Sequence, residues 1–105
     1  MQGLRHPMNE NGSISLLTFE LYLSGCMSLK EKRSIIQPIL ARLHKEFNIS
    51  ISEIAYQDRW EMARLGCVVV SNDGRYNQKI LAEVLNYLSA HFLKVEVIQS
   101  QIESR

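Results

Sequence analysis

The sequence predicts an α+β fold, with two helices covering one face of a four-stranded antiparallel sheet. Three observations lead there. Residues 14–23 alternate, with Leu17, Phe19, Leu21 and Leu23 in one phase, which is the period of a strand with one fully apolar face. Two longer stretches, residues 28–47 and 73–91, repeat their apolar residues at helical spacing. Between and after them lie three shorter strand patterns, so the order reads strand, helix, strand, strand, helix, strand. That is the split β-α-β arrangement of the ferredoxin-like sandwich, β-α-β-β-α-β, with sheet order 4-1-3-2 and both helices on one face. At 105 residues and 46% hydrophobic content, the chain fits one domain over residues 14–105 with a single modest core. Residues 1–13, with Arg5, His6, Pro7, Asn9, Glu10, Asn11 and Gly12, read as a disordered N-terminal extension too polar for a signal peptide.

The first helix has a defined start. Ser28 and Glu31 stand at capping-box spacing, so the serine oxygen takes an orphan amide of the first turn and the glutamate reaches back towards the cap. Leu29, Ile36, Ile39, Leu40, Leu43 and Phe47 carry its apolar face, and Asn48 closes it. Pro38 removes one backbone bond at a cost of about 3 kcal/mol, which predicts a kink or a distorted first half. Residues 48–56 form a strand in which Ile49 and Ile51 are out of phase with Ile54 and Tyr56, the mark of a bulge. Gln57, Asp58, Arg59 and Trp60 make the turn into a strand over residues 61–71. Its run of Cys67, Val68, Val69 and Val70 suits a central position. Asn72 or Asp73 caps the second helix, whose face is Ile80, Leu81, Val84, Leu85 and Leu88. A final strand runs through Val95 and Val97.

Several function classes fall away on composition. No window is long and apolar enough to span a bilayer, which predicts a soluble, cytoplasmic protein that engages no membrane. Cys26 and Cys67 lack Cys-x-x-Cys spacing, and His6, His44 and His91 lie in different elements, so no metal site and no cofactor is expected. A net charge of +1 leaves any nucleic-acid case to local charge.

That local charge is on the first helix, where Lys30, Lys32, Arg33, Arg42 and Lys45 face only Glu31 and Glu46. Lys30, Lys32 and Arg33 crowd the first turn, where the helix dipole favours anions, so local stability does not account for them. The topology brings this helix start and the turn of Gln57, Asp58, Arg59 and Trp60 to the same end of the sheet. Cations there would neutralise phosphates, and Trp60 would either stack on a base or anchor a protein, or fold back over the sheet edge as core, while Asp58 has a local role in capping the turn.

Four ordered segments, SLKEKR at 28–33, FNISISEI at 47–54, QDRW at 57–60 and GCVVVSND at 66–73, resemble the successive motifs of the YlxP-like proteins, a bacterial family of unknown function numbered 503. The similarity runs from residue 14 to about 97. It implies a small ferredoxin-like protein without an established enzyme activity, often encoded beside ribosome-binding factor A and translation initiation factors. Many of these relatives carry histidine where this chain has Tyr56, so no acid-base role of that histidine carries over. The expectation is a non-catalytic accessory factor in ribosome maturation or translation, whose partner is ribosomal RNA or the small ribosomal subunit.

Two further readings compete. The loop at Ser24, Gly25, Cys26 and Met27 precedes a capped basic helix and would cradle a phosphate in a small phosphate-ester or acyl-phosphate hydrolase. One glycine makes no phosphate-loop signature, and no catalytic residue can be named. The other reading is a protein-interaction module. The sheet face away from the helices takes Leu16, Thr18, Glu20 and Tyr22 from the first strand and Arg64, Gly66, Val68 and Val70 from the third. It has no aromatic on the third strand for base stacking, and a back-to-back homodimer is the simplest cover for it.

Overall fold

The computed structural model describes residues 8–105. Its elements are β1 (Met8–Leu23), α1 (Leu29–Glu46), β2 (Ser50–Ala55), β3 (Met62–Asp73), α2 (Gly74–His91) and β4 (Val95–Ser104). The sheet runs β2-β3-β1-β4 with every neighbouring pair antiparallel, which is the expected 4-1-3-2 order. β1 opens at Met8, earlier than the alternation from Ile14 indicates. Residues 8–13 of the expected extension are thus strand, with Met8 opposite Asp73 and Ser13 opposite Ser71, and the register shift between those pairs falls around Gly12 at φ 92°. The first seven residues of that extension lie outside the described residues.

One core lies between the sheet and the helices. Leu17, Phe19, Leu21 and Leu23 of β1 meet Ala63, Leu65, Cys67 and Val69 of β3, beneath Ile36, Ile39 and Leu43 of α1 and Leu81, Val84 and Leu88 of α2. Burial of each large aliphatic chain contributes about 2 kcal/mol, so these residues dominate the favourable side of folding. α2 is capped by Asp73, whose Oδ1 accepts from the Arg75 amide at 3.0 Å. Asn77, also fully buried, donates to the Ser13 carbonyl at 3.1 Å and so ties α2 to β1. α1 continues through Pro38 as a single helix. The expected bulge in β2 is present as a register shift between Glu53 and Ala55.

Candidate functional site

The chain reverses between β1 and α1 in a tight turn, where the Cys26 amide donates to the Leu23 carbonyl at 3.2 Å and Gly25 takes φ 75°. A left-handed residue is required there, which accounts for the glycine without any ligand. Ser28 then caps α1, its Oγ accepting from the Glu31 amide at 3.0 Å, while Glu31 Oε1 accepts from the Met27 amide at 2.8 Å. The carboxylate of the chain itself therefore occupies an amide of the loop that a phosphate would need. Cys26 is buried, and its thiol donates weakly to the Ser28 carbonyl at 3.5 Å.

Lys32, expected with Lys30 and Arg33 as a solvent-facing cation, is instead 3% exposed. Its Nζ lies 2.8 Å from Glu53 Oε2 and donates to the Tyr56 carbonyl at 2.6 Å. The physical reason is helical phase: Lys32 stands one turn before Ile36 in the buried series Lys32, Ile36, Ile39, Leu43. An ammonium held there needs a partner, and the phase of β2 that sends Ile51 to the core also points Glu53 towards α1. Lys32 is thus a fastener between α1 and the end of β2 rather than a solvent-facing cation.

The fastener fixes the turn that follows. Tyr56 adopts φ 67°, a conformation that costs a non-glycine residue on the order of 1 kcal/mol, and its carbonyl also accepts from the Arg59 amide at 3.0 Å. Its hydroxyl donates to Glu20 Oε2 at 3.1 Å, on the far face of the sheet, where Arg64 Nη1 reaches the same oxygen at 2.7 Å. Arg59 lies over the Tyr56 ring at 5.3 Å and within 3.9 Å of Glu61. Gln57 Nε2 donates to the Glu53 carbonyl at 3.4 Å, Asp58 is exposed, and Trp60 is 47% exposed.

Between α1 and this turn lies a groove of about 230 Å³. Lys32 and Glu53 line it together with Arg33, Gln37 and Gln57, and Leu29, Ile36 and Leu40 form its apolar wall. Lys30 and Arg33 are exposed beside it, so two of the three clustered cations face solvent. Among the described residues no group of three or more His, Cys, Asp or Glu is placed to hold a metal ion. His44 and His91 are exposed on separate helices, while His6 lies outside the described residues.

With this geometry established, comparison with known proteins places the chain. The profile of a family described as "Protein of unknown function (DUF503)" matches residues 14–102. The chain belongs to the DUF503 family. Over 63 residues, 60% of this chain and 68% of the relative, it is 43% identical to the uncharacterized protein YlxP of Bacillus subtilis (strain 168). Among solved structures it is similar to the de novo designed protein Foldit4, with a TM-score of 0.51 at 11% identity over 89% of this chain and 96% of that one. That likeness concerns the fold alone. Within this DUF503 chain, the groove, the Lys32 fastener and the β2–β3 turn all lie in the matched region. No helix among the described residues is long and apolar enough to cross a membrane.

Proposed function

We propose that this protein is a non-catalytic accessory factor in ribosome maturation or translation, and that it binds structured ribosomal RNA on the small subunit. The contacting groups are Lys30 and Arg33 at the start of α1, with Arg59 and Trp60 in the β2–β3 turn and Gln57 in the groove between them. The observation that carries this reading is the bond from Lys32 to the Tyr56 carbonyl, which holds the helix start and the turn together at one end of the sheet. Exposed cations there meet phosphates, and an exposed indole supplies a stacking face for an unpaired base. The gene neighbourhood implied by the YlxP-like resemblance supports a ribosomal partner.

The test is binding of the purified chain to small ribosomal subunits and to their RNA at two salt concentrations. Wild type binds with an affinity that falls as salt rises, and Lys30→Ala/Arg33→Ala lowers the slope of log K against log salt by about 1 to 2. Trp60→Ala weakens binding without changing that slope. A folded wild type that binds neither subunit nor RNA at low salt overturns the proposal.

A further inference from the structure

We infer that the sheet face away from the helices is covered by a second copy of this chain, related by a two-fold axis running parallel to the strands between β1 and β3. This goes beyond the RNA reading and uses different residues.

The face has the anatomy of an interface. Its two central strands carry three apolar rungs, Ile14 opposite Val70, Leu16 opposite Val68 and Tyr22 opposite Met62, with Thr18–Gly66 and Glu20–Arg64 between the second and third. Val70 is 67% exposed, and Ile14, Tyr22 and Ile54 are also exposed, so apolar surface lies on either side of the Glu20–Arg64 rung, which the Tyr56 hydroxyl reaches from its own turn. Thr18 faces Gly66, and the missing side chain is replaced by Ile54, whose methyl carbons lie 3.3 Å from where a Cβ on Gly66 would stand. The flanks are polar. β2 contributes Ser50 and Ser52, while β4 sets Glu103, Gln101 and Gln99 against Leu16, Thr18 and Glu20. Mostly apolar central strands between polar outer strands match the layout of protein interfaces, whose apolar part is enclosed by a polar rim.

Self-complementarity selects the occupant. A two-fold axis along the strands turns each rung of the β1–β3 ladder onto the same rung of the other copy with its two residues exchanged. Apolar rungs then meet apolar rungs, and the one charged rung, Glu20 opposite Arg64, meets its own reverse. Glu20 faces the partner's Arg64, and Arg64 faces the partner's Glu20. Within one chain these side chains already pair at 2.7 Å, so the face is covered without leaving a charge unmatched. The same operation lays the β4 edge over the serine edge of β2, and the 30° offset usual for aligned sheets preserves the contact at the centre. Four strands about 4.8 Å apart, paired over about 30 Å, present on the order of 600 Å² per partner, which reaches the lower range of specific interfaces. An RNA finds no purchase here, because the cation of the face, Arg64, is committed to Glu20.

The mass of the full chain in solution, measured by light scattering at tens of micromolar, tests the pairing. Wild type has twice the 12.1 kDa chain mass, and Val70→Asp, at a position open to solvent in the single chain, has the mass of one chain. Glu20→Arg and Arg64→Glu each give a rung of one sign and each weaken self-association by about tenfold or more. Mixed in equal amounts, these two variants form a mixed dimer, because the positive rung of one faces the negative rung of the other. Circular dichroism confirms that each variant is folded. A monomeric wild type, a dimer that Val70→Asp leaves intact, or folded charge variants that fail to associate on mixing overturns the inference.

Discussion

Lys32 Nζ donates to the carbonyl oxygen of Tyr56 at 2.6 Å, and the same nitrogen lies 2.8 Å from Glu53 Oε2. The two partners are unequally sheltered: the Lys32 side chain is 4% exposed and that of Glu53 21%. Water screens a glutamate left alone better than it screens a lysine left alone. Lys32→Met is therefore expected to cost about 2 kcal/mol and Glu53→Gln about 3 kcal/mol, with the double variant costing less than the sum. Urea unfolding at constant m-value measures all three. Equal single effects would show that the difference in shelter does not matter, and additive ones that the pair does not act as a unit.

Pro38 sits inside α1 on its exposed side, where it offers no amide to the Ser34 carbonyl one turn earlier. Pro38→Ala restores that donor and removes the ring. The gain is reduced by the greater freedom alanine gives the unfolded chain, about 0.4–1 kcal/mol. A net stabilisation of about 1–2 kcal/mol is expected, read as a rise in thermal midpoint of about 4–8 °C per kcal/mol. An unchanged or lowered midpoint would mean that the ring fits α1 without cost.

Cys67 of β3, opposite Leu17 of β1 and Ile51 of β2, is fully buried, and burial pushes its thiol up from 9.0 to about 12. In the unfolded chain the thiol ionises above its ordinary value, while in the folded chain it stays protonated until near 12. Between these limits the folded state binds the additional proton, so stability from this group is complete below pH 9 and declines as pH rises from about 9 to 12. The slope approaches about 1.4 kcal/mol per pH unit. Comparing urea midpoints of wild type and Cys67→Ala at pH 8 and pH 10.5 isolates the thiol from other alkaline titrations. Wild type should lose more stability than the variant over that interval, and parallel losses would contradict it.

The architecture was readable because its elements follow their own periods. Leu17, Phe19, Leu21 and Leu23 alternate as a strand with a buried face must, and the Ser28 to Glu31 spacing marked the start of α1. The strand extension to Met8 was not readable, because residues 8–13 show neither alternation nor bulk and their pairing depends on β3. At the candidate site the linear run of cations hid the difference between its members. The signal was present in phase, since Lys32 precedes Ile36, Ile39 and Leu43 at helical spacing whereas Lys30 and Arg33 do not share that face. The part played by Tyr56 left no mark in local pattern: it rests on a left-handed backbone and on Glu20, a residue of a different strand.

Tyr56 spans the thickness of the sheet edge, its carbonyl bound on the helix side and its hydroxyl on the opposite side. A loop clamped from both directions has little conformational freedom left to surrender. Arg59 and Trp60 are thus held in a preorganised frame, and the association proposed for this turn would begin without the entropic toll that ordering a free loop of the same sequence would exact.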